Sequence, residues 1–288
     1  MDFEIGKIVV LPDLYNEMTQ SIFDRAKECI SSCDPLEKCA LTRQLADDWH
    51  NQKLMLDDCG DVDPIGSPGR PQKPHLVHPR AVAKRSVHTN NGRIILAHAL
   101  AHIEFNAINL ALDAVYRFRG MPEAYYTDWI KVAAEEAYHF KLLHTYLTDR
   151  DCQYGDHDAH NGLWEMAVKT ADDVLVRMAL VPRVLEARGL DVTPGLIDKL
   201  TVAGDNDFVD RLKIIHRDEI GHVAIGSRWF RYVCEQRSLN SRETFTKLLN
   251  DYMVGPLKGP FDDVVRIQAG FTEQELLDLR ENNNDKIK

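Results

Sequence analysis

Apolar positions recur at three- and four-residue intervals through the middle of the chain, the pattern of helices that bury one face. One stripe runs Ala97, Leu100, Ala101, Ala107, Ile108, Ala111, Val115 and Phe118. A second takes Trp129, Val132, Ala133, Phe140, Leu143 and Leu147. A third takes Val168, Asp172, Leu175, Ala179 and Pro182, and a fourth Phe208, Leu212, Ile215, Val223, Gly226, Phe230 and Val233. The stripes predict an all-α four-helix bundle over residues 91–240. Gly120-Met121-Pro122 supplies a reversal, glycine ending one helix and proline opening the next. Gly204-Asp205-Asn206-Asp207 supplies another.

Each stripe is interrupted by acid where an aliphatic residue belongs: Glu104, then Glu136 with His139, then Glu186, then Glu219 with His222. A buried carboxylate is costly unless something pairs with it, so the pattern calls for cations. The order is Glu, Glu-x-x-His, Glu, Glu-x-x-His, with the lone glutamates at nearly equal distances upstream. Residues three apart on a helix lie roughly 60° apart in azimuth and about 4.5 Å apart along the axis, so both can reach one ion. This is the ligand set of carboxylate-bridged dimetal sites in helical bundles. Four carboxylates and two imidazoles suit two transition-metal ions, iron first, with manganese or zinc as alternatives.

Glu104 lies as far before Gly120 as Glu136 lies after it, so an antiparallel hairpin sets them level. Glu186 and Glu219 have no such symmetry about Gly189. The third helix is therefore expected to break at Gly189–Asp191 and to resume as Thr193–Ala203 under a Thr193 cap, with Pro194 in its first turn. Pro182, one turn before Glu186, predicts a kink beside the site. Glu135 is an alternative ligand, but it lies off its stripe and has no histidine three residues on. His98 and His102 are expected to face outward or to stand behind the ligands. His75, His78 and His88 fall in a strap, and His157 and His160 in a connector; none is expected to bind metal.

The segment 1–90 reads as a helix over Leu14–Ser31, then a second helix from an Asp34 cap, a Pro35 first turn and Glu37 to about Asp57. A Pro/Gly-rich strap follows from Cys59 to about Asn91. The addition 241–288 is expected to hold a helix over Ser241–Met253, a PLKGPF strap and a last helix capped by Thr272, with disorder from Glu281. At 288 residues and 44% hydrophobic the chain can bury a large core. A net charge of −10 disfavours a general nucleic-acid surface, transfer RNA being left open. No apolar run approaches a membrane span, and the N-terminus has no basic leader region. Six cysteines without a Cys-x-x-Cys fit a reduced, cytoplasmic setting.

The segments RIILAHALAHIEFNAINLALDAVYRF, VAAEEAYHF, MALVPRVLEARGLDVTPG and RDEIGHVAIGSRWF resemble an uncharacterised bacterial family, a domain of unknown function with a ferritin-like fold. The resemblance spans about Pro68 to Phe271. It implies a ferritin-like dimetal-carboxylate protein with ligand roles for Glu104, Glu136, His139, Glu186, Glu219 and His222. Within that superfamily the expected activity is an oxidoreductase that activates dioxygen on an organic substrate. A ferroxidase, or a metal-binding protein without catalysis, is the alternative. The implied partners are a small-molecule substrate and an electron donor, and a homodimer is compatible with the sequence.

Overall fold

A computed structural model describes residues 20–57, 62–253, 257 and 259–285. The start of the helix expected from Leu14, the Cys59 end of the strap, part of the PLKGPF turn and the last three residues lie outside that set. Within it the fold is all-helical, with two isolated β-bridges as its only extended pairing.

Two short elements come first, α1 (Ile22–Ser31) and α2 (Pro35–His50). Asp34 caps α2, its Oδ1 accepting from the amides of Leu36 and Glu37 at 2.9 and 2.8 Å. Glu37 does not close a capping box; it accepts instead from the Ser32 hydroxyl at 2.7 Å. The helix stops at His50, short of the expected Asp57, because Gln52 turns the chain with φ 57°. Met55 then returns to the start of α1, exchanging backbone bonds with Gln20 and Ile22.

The next two helices are long, α3 (Asn90–Arg117) and α4 (Glu123–Thr148). Thr89 caps α3 through the Gly92 amide at 3.1 Å, and Gly120 makes the reversal with φ 69°. By length and hydropathy α3 is apolar enough to cross a membrane, which a search for uninterrupted apolar runs misses. Its apolar stretch is instead 72% buried inside the protein. The strap lies on the connector after α4, Val77 donating to the Ala159 carbonyl at 2.8 Å.

The third span departs most from expectation. A single helix from Trp164 to Glu186 is replaced by α5 (Gly162–Lys169), a break, α6 (Val174–Leu180) and a π-helix at Val181–Glu186. Asp173 caps α6 through the Leu175 amide at 2.8 Å, while the Thr170 hydroxyl folds back on the Met166 carbonyl at 2.8 Å. Val168 and Asp172 are consequently exposed, not part of a buried stripe. The break expected at Gly189–Asp191 is absent: α7 (Ala187–Val202) runs straight through Pro194. Proline has no N–H for the Leu190 carbonyl, and His216 Nε2 stands 3.4 Å from that oxygen instead. The distortion lies one turn earlier, in the π-helix that contains Pro182.

Gly204 (φ 77°) reverses the chain into α8 (Asn206–Gln236), capped by Asp205. A Cβ on Gly226 would sit 2.2 Å from Pro182 Cγ, so glycine is what lets α8 close on the π-helix. The remaining elements are α9 (Ser241–Tyr252), α10 (Asp263–Gln268), a short helix not expected from the sequence, and α11 (Glu273–Asp285). Thr272 and Glu275 form a reciprocal capping box on α11. The helix continues past Glu281, where disorder was expected, to Asp285.

Four spans surround the core: α3 packs on α4, α4 on α8, and α8 on α6, the π-helix and α7. The C-terminal addition grips the third span through two buried ion pairs. Arg183 meets Glu275 at 2.6 Å, and Arg266 meets Asp191 at 2.8 and 2.9 Å.

Candidate metal centre

The six acidic and imidazole residues expected as ligands come from four elements. Glu104 lies on α3, Glu136 and His139 on α4, Glu219 and His222 on α8, and Glu186 ends the π-helix. Donor atoms of Glu104, Glu136, His139 and Glu219 lie within 4.8 Å of one another. His222 joins them, its Nδ1 3.0 Å from Glu136 Oε1 and 3.7 Å from Glu219 Oε2. His139 Nδ1 is 3.3 Å from Glu136 Oε2 and 3.8 Å from Glu104 Oε2. Glu186 lies outside the group that meets within 4.8 Å, though its carboxyl is buried on the same core and raised by the charges of Glu219 and Glu136. Glu136, His139 and His222 are fully buried.

Both imidazoles turn Nδ1 toward the cluster and Nε2 away from it. The outer nitrogen of each meets a carboxylate from the opposite helix: His139 with Asp218 at 3.2 Å, His222 with Glu135 at 3.0 Å. Such a partner fixes the ring's orientation and tautomer and raises its basicity toward an ion. Glu135, the alternative ligand in the sequence, thus stands behind His222, and Asp218, not expected to take part, stands behind His139. The signal was there in an acid directly before each Glu-x-x-His, Glu135-Glu136 and Asp218-Glu219. What concealed it is that each acid serves the other motif's histidine.

Five buried polar atoms of the cluster have no hydrogen-bond partner among the described residues: Glu104 Oε2, Glu136 Oε1, Glu186 Oε2, Glu219 Oε2 and His222 Nδ1. The 3.0 Å approach of the last to Glu136 Oε1 lacks hydrogen-bond alignment. An unsatisfied buried group costs about 1–3 kcal/mol, more when charged. Five belonging to one cluster is an arrangement that a cation resolves. These residues could hold a metal ion.

Without metal, protons take part of that role. Burial, reinforced by Glu136 and Glu219, holds the Glu104 carboxyl well above its usual range; burial with Glu219 and Glu136 does the same to Glu186. Burial alone would depress both imidazoles, but Glu136 and the other carboxylates outweigh it and raise His139 and His222. Burial pushes Glu136 upward, and His222 and His139 overcome it, so this carboxylate stays ionised. For the four raised groups the folded-state stabilisation is complete below the ordinary values of 4.5 and 6.5 and is lost as pH rises through the folded ones. Glu136 acts oppositely, losing its contribution as pH falls below 4.5. Metal-free protein should therefore weaken as pH rises above 6.5, whereas metal replaces the protons and keeps the cluster neutralised. Paired thermal melts with and without metal are expected to show a gap that widens from neutral to alkaline pH. A constant gap would mean that the carboxylates do not share one charge environment.

The other histidines stand apart from this cluster. His98 and His102 face away from it, as expected, but are buried under the strap and connector, not exposed. His98 Nε2 accepts from the Gly155 amide at 2.8 Å, and its ring stacks on Tyr154. His102 Nδ1 lies 2.9 Å from the Tyr154 hydroxyl, and its Nε2 3.1 Å from the His160 carbonyl. His75, His78 and His88 are exposed. All five described cysteines are free thiols.

Fold and site together define an all-helical protein with a buried glutamate–histidine group able to take a metal ion. The chain belongs to the family described as "Protein of unknown function (DUF455)", which it matches over residues 31–277. It is 46% identical over 264 residues to an uncharacterized protein of Haemophilus influenzae, across 88% of this chain and 92% of that protein. No solved structure matches it.

Proposed function

We propose that this is a ferritin-like dimetal-carboxylate enzyme of the cytoplasm that activates dioxygen on an organic substrate. Glu104, Glu136, His139, Glu186, Glu219 and His222 are its ligands. The observation that carries this reading is the set of five buried, unpartnered donor atoms in one cluster, with both imidazoles aimed inward by carboxylates behind them. Two reduced iron ions, or manganese in their place, would supply the electrons and open coordination positions that dioxygen chemistry needs.

The chain's own part is to orient and to exclude water. Asp218 and Glu135 hold the imidazole planes from opposite helices, and Glu136, between the two histidines, balances their charge. Glu186 differs from the other ligands in closing a π-helix, a distortion that frequently accompanies functional sites. Insertion of one oxygen atom into a substrate C–H bond, with the other leaving as water, takes up two electrons and two protons. An external reductant must provide them.

The test is to load metal-free protein anaerobically with Fe(II), measure iron by elemental analysis, admit oxygen, and then offer more Fe(II). Two irons per chain are expected to bind, to oxidise once and to stop without a donor. A single tight site under excess metal refutes the dinuclear reading. Continued oxidation of added Fe(II) into a soluble ferric core makes the protein a ferroxidase or store instead.

A further inference from the structure

The ring of helices around the centre is not closed evenly. α3 and α4, α4 and α8, and α8 and the third span pack directly, but α3 and the π-helix barely meet. The short α5 bridges that side, packing on both. Beside it lies a cleft of about 280 Å³, whose apolar lining includes Ile103, Leu163, Val184, Leu185, Met253 and Phe261. Ile103 adjoins Glu104, and Val184 and Leu185 directly precede Glu186. The cleft is thus walled by the two backbone segments that carry the lone glutamates, on the side away from the paired Glu-x-x-His helices.

We propose that this cleft is the substrate pocket of the centre and that it takes a small, largely apolar organic molecule. The inference rests on the dimetal reading above. Its lining is mostly aliphatic and aromatic; its polar members are His160, Arg188, which donates to the Pro260 carbonyl at 3.2 Å, and the buried Arg266, whose guanidinium is matched in two-point fashion by Asp191. The volume lies near the lower end of ligand pockets, roughly 300–1,000 Å³, which sets the scale at one or a few fused rings or a short acyl group. A polypeptide segment does not fit.

Two other cavities approach the ligand-bearing helices from the wrong side. A larger groove of about 1020 Å³ between α2 and α4 reaches Glu135. Glu135 is bonded to the outer nitrogen of His222, so a molecule there faces the back of the imidazole. A polar cavity of about 230 Å³ under the strap is lined by His102 and Tyr154, on the face of α3 turned away from Glu104. Of the three, the α3–π-helix cleft is the one walled by residues next to both lone glutamates, Ile103 beside Glu104 and Leu185 beside Glu186.

The probe is 1-aminoanthracene, a flat apolar amine whose fluorescence rises on leaving water, used with full-length protein loaded with Co(II). Half-exposed Ile103 can be replaced by a bulkier residue without entering the core. Ile103→Trp and, separately, Leu163→Trp should fill the cleft and weaken probe binding at least about tenfold, with cobalt content unchanged. Tyr138→Ala, in the larger groove, should leave probe affinity as it was. Bound cobalt should quench the probe in the wild type relative to a zinc-loaded sample, which places the two close together. Absence of probe binding, or binding unaltered by both cleft variants in protein that still carries two metals, overturns the pocket and leaves the centre standing. Protein that binds probe but takes up no cobalt removes the centre, and with it the cleft's role as its substrate pocket.

Discussion

Glu136→Gln is expected to strip the protein of bound metal while leaving it folded. Glu136 makes the closest carboxylate approach to both histidines together, His139 at 3.3 Å and His222 at 3.0 Å, and it is wholly buried. Its charge also helps hold protons on Glu104 and Glu186. Glutamine keeps the volume but removes the charge that balances two raised imidazoles, so the histidines should fall back toward neutrality in the metal-free protein. Residues behind a ligand act more weakly. Glu135→Gln and Asp218→Asn should each cost about 10–100-fold in metal affinity, by freeing His222 or His139 to rotate. The loss in Glu136→Gln should exceed both, and that in His98→Ala should be negligible, since His98 faces Gly155 and Tyr154. Competitive titration against a chelator, with elemental analysis of the recovered protein, ranks the four variants. Full metal content in Glu136→Gln, or its loss in His98→Ala, would place the site elsewhere.

That ranking follows from how differently the two layers of the site appear in the sequence. An acid or imidazole on an apolar stripe is a local anomaly, visible from its own helix, and the four glutamates and two histidines expected as ligands stood out in this way. The supporting carboxylates did not. Asp218 lies off its stripe and looks like an ordinary solvated acid until α4 brings His139 against it. Glu135 lies off its stripe too, and its position beside Glu136 made it resemble a spare ligand. The third span failed for another reason. Its apolar spacing continued through Val168 and Asp172, yet Asp173 and Thr170 satisfy backbone groups locally and turn the chain there. No composition marks a π-helix, and the residue that absorbed the expected register change was Pro182, not the Gly189–Asp191 stretch. Pro194 looked like a first-turn proline because the sequence cannot reveal His216 beside the carbonyl that proline leaves unbonded.

Arg183 carries the same lesson into stability, and Glu275→Ala is expected to be among the most destabilising single changes in the chain. Arg183 lies in the π-helix one turn before Glu186 and is almost fully buried. Its guanidinium sits 4.7, 4.1 and 4.5 Å from the ring centres of Phe230, Phe245 and Phe271. Glu275 on α11 is its carboxylate partner at 2.6 Å, and Nε and Nη1 have no hydrogen bond among the described residues. Removing one member of a buried pair leaves an uncompensated charge and costs about 3–5 kcal/mol. Aromatic faces return only about 0.5–2 kcal/mol, so the loss dominates. A melting temperature lower by on the order of 10 °C follows for a chain of this size. Because the freed guanidinium belongs to the segment that positions Glu186, metal affinity should fall together with stability. Replacing both partners, Arg183→Met with Glu275→Leu, removes the charge and fills the space, and should recover most of the lost melting temperature. If Glu275→Ala melts within a degree or two of the parent, the C-terminal helices do not clamp the π-helix. If the double variant regains stability but not metal affinity, the guanidinium itself sets the geometry of Glu186 and the clamp is part of the site.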